Sequence, residues 1–108
     1  MAQVNEYKAK LFKALSSPLR ISIINILKDR EYGVKEIAAV VDCEQGHISQ
    51  QLGILRSSGI VKYRKEGNYV YYSIADPSII RLLDEAEQFS RKRIIDLSIF
   101  LGKLSETE

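Results

Sequence analysis

The chain has one cysteine, Cys43, and one cysteine cannot close an internal disulfide, so a disulfide-framed fold is excluded. It has one histidine, His47. With no second His and no second Cys, a His-based metal site within one chain lacks ligands, and His47 alone reads as a surface residue. Net charge is nearly absent: the formal value is +2, so any grip on a polyanion must come from local clusters and not from bulk charge. No apolar run is long enough to span a bilayer, and no basic-then-apolar leader opens the chain. No membrane partner and a cytoplasmic location are expected. Internal repeats, low-complexity tracts and Pro- or Ser-rich linkers are missing too. So are a phosphate-binding glycine loop and a Cys/His pair. Ser49 lies two residues from His47, which on a helix points the two apart. No enzyme and no cofactor are expected.

What is present is an ordinary soluble composition. Hydrophobic residues make up 45% and charged ones 28%, within globular usage. At 108 residues the chain is expected to be a single domain over 1–108, thin enough that sharing a core with a partner would help. The pattern predicts a mainly α fold: five helices and one β-hairpin. Tyr7, Leu11 and Ala14/Leu15 recur at helical spacing in a first helix over about 4–15. Ser17 then caps a second helix with Pro18 at its first position, where a missing N–H costs nothing. That helix runs to about Lys28, and its many apolar residues, Leu19 to Leu27, predict burial all round. Asp29 to Gly33 breaks it. Val34, Ile37, Ala38 and Val41 mark a short third helix, and Asp42-Cys43 turns the chain.

The fourth helix, "EQGHISQQLGILRSSG", is unusually polar. Ile48, Leu52 and Leu55 make its inner stripe, and Gly59 is suited to a left-handed cap. "IVKYRKEGNYVYYSI" follows, two β-rich runs around a Gly-Asn turn, which predicts a hairpin over about 60–74. From Ser78 to about Leu104 runs one long helical pattern, nearly apolar all round in its second half. Such a surface needs cover. Residues 106–108 read as a frayed end.

A short helix, a tight turn and a second helix with a polar outer face form a helix-turn-helix, here over about 34–57, and the hairpin makes it winged. In such motifs the early residues of the second helix reach base edges in the major groove. Gln can pair with adenine N6 and N7 together, and Ser can donate or accept. With Ile48 inward, Ser49 and Gln50 face out and Gln45 and His47 flank them. Lys62, Arg64 and Lys65 against Glu66 give the hairpin a local positive charge suited to phosphate. Double-stranded DNA is the expected partner. Gly53 is costly inside a helix, which fits either close approach of a DNA backbone or tolerance on a surface. A protein-interaction module is the competing reading, since a winged helix does not fix function, but it calls for an apolar head where this one is polar. Cys43, just before the helix's positive end, allows a redox-responsive regulator as a further alternative; inert packing competes with it.

"FKALSSPLRISIINIL" and "VKEIAAVVDCEQGHISQQLGILRSSGIVKYRKEGNYVYYSI" together resemble the ArsR/SmtB family of winged-helix repressors. The resemblance covers Phe12 to Ile74. It implies a prokaryotic transcriptional regulator, homodimeric through its first and last helices, on a palindromic operator. It matches Gln45, His47, Ser49, Gln50 and Gln51 to recognition-helix positions and Arg64 and Lys65 to a basic wing. Arg56 and Asn68 complete the expected DNA-facing set. Arg20 matches an arginine that is either structural or DNA-facing. Tyr7, Leu11, Ile94, Leu97, Phe100, Leu101 and Leu104 are the expected dimer contacts. The chain also departs from the family pattern. Gly33 and Lys35 stand where metal-sensing members carry cysteines, and the last helix has no His or Cys. No metal site is expected, and no small-molecule effector is named by these residues.

Overall fold

The computed structural model describes residues 2–106. The expected fray at 106–108 falls largely on Thr107 and Glu108, outside that range. Helix α1 spans Ala2–Leu15 and α2 Pro18–Leu27. A two-residue strand, β1 (Tyr32–Gly33), precedes α3 (Val34–Val41) and α4 (Gln45–Ser57). Strands β2 (Val61–Glu66) and β3 (Tyr69–Ile74) follow, and α5 (Ser78–Glu106) ends the chain. The residues up to Pro77 form one compact unit and those from Ser78 another.

Local chemistry sets the element ends in the first unit. Ser17 is extended at the N-cap of α2, and its Oγ accepts the N–H of Arg20 at 3.3 Å, with Pro18 in the first turn. At the end of α4 the chain turns left-handed at Gly59, φ +75°. The N–H of Gly59 donates to Arg56 O at 3.0 Å and that of Ile60 to Leu55 O at 2.9 Å. These two bonds satisfy carbonyls that a helix terminus leaves open, in a Schellman arrangement. Gly67, φ +60°, takes the first place of a two-residue hairpin loop, where positive φ matches the strand twist.

The core is small and aliphatic. Ile23, Ile24, Ile37, Ile48, Leu52 and Leu55 are fully buried, and Leu27, Ala38, Ile60 and Val61 surround them. Each Leu, Ile and Val side chain among them contributes roughly 1.5–3 kcal/mol on leaving water. Burial of α2 is one-sided, against the expectation of burial all round. Ile23, Ile24 and Leu27 are covered, while Ser22 and Asn25 line an exposed stripe and Leu19, Ile21 and Ile26 are half-buried.

The sheet is antiparallel with order β1-β3-β2. β1 is an addition to the expected hairpin: Tyr32 pairs with Tyr72 and Gly33 with Tyr71. It fastens the wing to the segment leading into α3. In the second unit, α5 is a single helix of 29 residues, about 44 Å long. Ile94, Ile95, Ile99, Phe100 and Leu101 lie exposed along it. Among the described residues no helix is long and apolar enough to cross a membrane.

Candidate nucleic-acid interface

Helices α3 and α4 are joined by a turn of three residues. Asp42 adopts the left-handed conformation, φ +54°, that a short polar side chain tolerates better than most. The N–H groups of Asp42 and Cys43 both donate to Ala38 O, the latter at 3.0 Å. The reversal is tight, so α4 begins at Gln45. Its inner stripe of Ile48, Leu52 and Leu55 locks its rotation about its own axis.

That rotation fixes the outer face. Gln45, Gly46, His47, Ser49, Gln50 and Gly53 are exposed. The side chains of Gln45, His47, Ser49 and Gln50 make no hydrogen bond among the described residues. Donors and acceptors are thus held on a rigid element and left free. A methyl group built on Gly53 would meet nothing within 4 Å, so the space in front of the helix is open.

Gln51 departs from the expected DNA-facing set. It is only 8% exposed, and its Oε1 accepts from Arg20 Nη1 at 2.9 Å. Three residues after Ile48 and one before Leu52, it belongs to the covered side, and a buried amide needs a partner. Arg20 supplies it. The same guanidinium donates from Nε to Ala14 O at 2.6 Å and from Nη2 to Lys13 O at 3.4 Å, closing the open end of α1. Arg20 is therefore structural: it ties α1, α2 and the recognition helix through one planar fork. Arg20→Ala should strand the Gln51 amide and lower unfolding free energy by roughly 1–3 kcal/mol. Arg20→Lys should not restore it, because an ammonium lacks the fork. Urea denaturation of the two variants checks this; an unchanged midpoint in both would show that the fork holds nothing.

Arg64, expected as a phosphate contact, is half-exposed and already paired. Its Nε and Nη2 engage the Glu31 carboxylate, its Nη1 bonds Glu66 Oε2 at 2.8 Å, and the group lies 4.8 Å from the Tyr71 ring centroid. Two carboxylates already match its charge. The Arg64 bonds hold the Glu31 carboxyl below its ordinary range. Arg64 thus clamps β2 to the segment before β1, next to the β1–β3 pairing. Arg56, also expected at DNA, is exposed but stacks over Tyr63 at 4.3 Å.

Near α4 and the wing, Lys62 and Lys65 on β2 and Lys35 in the first turn of α3 are exposed ammonium groups with no carboxylate partner among the described residues. Lys35 was singled out in the sequence only for the cysteine it replaces. Folding puts it in a cleft of about 440 Å³ with Gln45, Asn68, Tyr69 and Tyr71. The cleft joins the first residue of α4 to the tip of the wing. No local pattern reveals that juxtaposition, because it depends on the hairpin folding back toward α3.

Gly33 is the N-cap of α3, and Glu36 Oε1 reaches back to its N–H at 3.1 Å. Glu36 Oε2 bonds Arg30 at 3.0 Å. The Gly33 N–H first, and Arg30 second, hold the Glu36 carboxyl below its ordinary range. The region where cysteines would stand is thus occupied by a helix cap. Among the described residues no three His, Cys, Asp or Glu side chains gather as metal ligands. Cys43 is half-buried in the turn.

The antiparallel wing, the tight turn and the polar outer helix define a winged helix-turn-helix protein. The model of the arsR family of bacterial regulatory proteins matches residues 17–63. An HTH-type transcriptional regulator of Mycobacterium tuberculosis, Rv0081, is 41% identical over 90 residues, covering 82% of this chain and 79% of its own length. The Rv0081 crystal structure superposes with a TM-score of 0.78 over 86% of this chain and 94% of that one, at 39% identity. The homodimeric winged helix-turn-helix DNA-binding domain of Mb0332 from Mycobacterium bovis superposes with a TM-score of 0.79, covering 86% of each chain at 29% identity. A transcriptional repressor SmtB homolog of Synechocystis is 40% identical over 77 residues, 71% of this chain and 58% of its own length. The chain belongs to the arsR family of bacterial regulatory proteins; it is a transcriptional regulator and not an enzyme.

Proposed function

We propose that two copies of this chain bind an imperfect palindrome of double-stranded DNA and repress transcription there, in the cytoplasm, without a metal signal. The observation that carries this reading is the exposed polar face of α4, Gln45, His47, Ser49 and Gln50, beside Lys35 and Lys65, which have no carboxylate partner among the described residues. Amides and hydroxyls on a rigid helix suit base edges, and the flanking ammonium groups suit phosphates. Asn68 at the wing tip adds a neutral donor next to that backbone. An interaction module would instead present apolar surface on this head. Dimerisation is supported by the exposed apolar length of α5 and by the homodimer formed by the Mb0332 domain. Tyr7, Ile94, Leu97, Phe100, Leu101 and Leu104 are exposed and Leu11 is half-buried, which leaves each able to meet a second copy.

The test is selection of bound duplexes from a random pool by the purified protein, with and without chelator. The expected product is a palindrome whose half-sites lie about 34–36 Å apart, one turn of DNA. Affinity should be the same in both arms. Enrichment of no sequence would sink the reading head, and chelator-dependent binding or release would sink the metal-free reading of Gly33 and Lys35.

A further inference from the structure

A second cleft lies in the first unit, formed by α1, the start of α2 and the last turn of α4. It holds about 530 Å³, inside the ~300–1,000 Å³ typical of small-molecule pockets. Its lining divides by chemistry. Leu11, Ala14 and Ile54 give it an apolar part, and Lys10, Lys13 and Arg20 bring three cations to it. No carboxylate lines it. Lys10 and Lys13 make no ion pair among the described residues; Lys10 Nζ lies only over the Tyr7 ring, 5.5 Å from its centroid. Arg20 spends one N–H of each terminal nitrogen on Gln51 and Lys13 O, which leaves the second N–H of each available. The hydroxyls of Ser57 and Ser58 donate to Gly53 O and Ile54 O, both at 2.9 Å, so they can only accept from a guest. The charged groups of the cleft are therefore all cations, and the rest of its lining is neutral. Nucleic acid fits it poorly. Ile54 is about 14 Å along α4 from Gln45, and an apolar wall offers a phosphate nothing.

We propose that this cleft binds a small amphipathic organic carboxylate, its anionic end at Lys10, Lys13 and Arg20 and its aromatic or short alkyl body on Ala14 and Ile54. A carboxylate draws charge-assisted hydrogen bonds from the ammonium and guanidinium groups, and low-dielectric walls strengthen them. The guest shares a guanidinium with Gln51, so its arrival reaches the covered side of α4. This goes beyond DNA binding, and its test uses no DNA.

The probe is 2-naphthoate, titrated into the ¹⁵N-labelled full chain and followed by amide chemical shifts. Saturable shifts are expected at residues 7–14 and 54–58 and at the Gln51 side-chain amide. The double variant Lys10→Glu/Lys13→Glu should weaken binding at least tenfold, while Lys10→Arg/Lys13→Arg should keep it within about threefold. The cation 2-naphthylmethylammonium should produce none of these shifts. The proposal is overturned by equal response to anion and cation, by shifts confined to the apolar stretch of α5, or by charge reversal that leaves affinity unchanged. It is also overturned if millimolar naphthoate moves nothing, as would follow if a second copy fills the cleft.

Discussion

Leu97→Asp with Phe100→Asp should turn the protein into a folded monomer that no longer holds its operator. The two side chains sit three residues apart on α5, so they share a face. Leu97 is 41% exposed and Phe100 57%, which leaves them to meet another surface. A carboxylate pressed into such a contact without a partner costs several kcal/mol at each copy. A two-fold interface repeats every substitution, so the double change places four charges in it. The core of the first unit, Ile23 to Leu55, is untouched, and circular dichroism should show helix content retained. Loss of the dimer removes one of two reading heads. If each head supplies about half of a nanomolar binding free energy, near −6 of −12 kcal/mol, a lone head binds only at tens of micromolar. Sedimentation velocity at micromolar concentration and a duplex titration measure the two effects. A wild-type monomer, or a double variant that still dimerises, would place the interface elsewhere.

Much of the fold is legible in the sequence because its signals are local. The Ser17-Pro18 start, the Gly59 stop and the Gly67 turn each act through atoms within a few residues. The aliphatic stripe of α4 is legible for the same reason: Ile48, Leu52 and Leu55 repeat at helical spacing. What stays hidden depends on partners far along the chain. Gln51 looks like its neighbour Gln50 until Arg20, thirty-one positions away, fixes its amide. Arg64 looks like Lys65 until Glu31, thirty-three positions away, claims its guanidinium. β1 has only two residues, too few to carry a period, and exists because Tyr71 and Tyr72 offer it an edge. Lys35 joins Gln45 and Asn68 in one cleft only once the wing lies beside α3. The class of the site is therefore readable from composition and spacing, while its membership is set by tertiary contacts.

The structure sharpens the distinction between reading DNA and holding it. Gln50 is exposed near the start of α4, where side chains reach base edges, and its amide is uncommitted. Gln50→Ala should cost roughly 1–3 kcal/mol per half-site on the operator and little on random duplex, because only a base contact is lost. Two half-sites double that loss. Lys65, with no carboxylate partner among the described residues, should instead meet phosphate. Lys65→Ala should weaken operator and random duplex alike and flatten the slope of log affinity against log salt by about 0.9 per contact removed. Arg64→Ala should behave differently from both. It releases the Glu31 and Glu66 carboxylates beside the wing, so the loss comes from added repulsion and a loosened hairpin more than from a missing contact. Affinity against salt, measured for operator and scrambled duplexes with each variant, separates the three. Equal losses on both duplexes for Gln50→Ala would show that the helix grips DNA at that position without reading it.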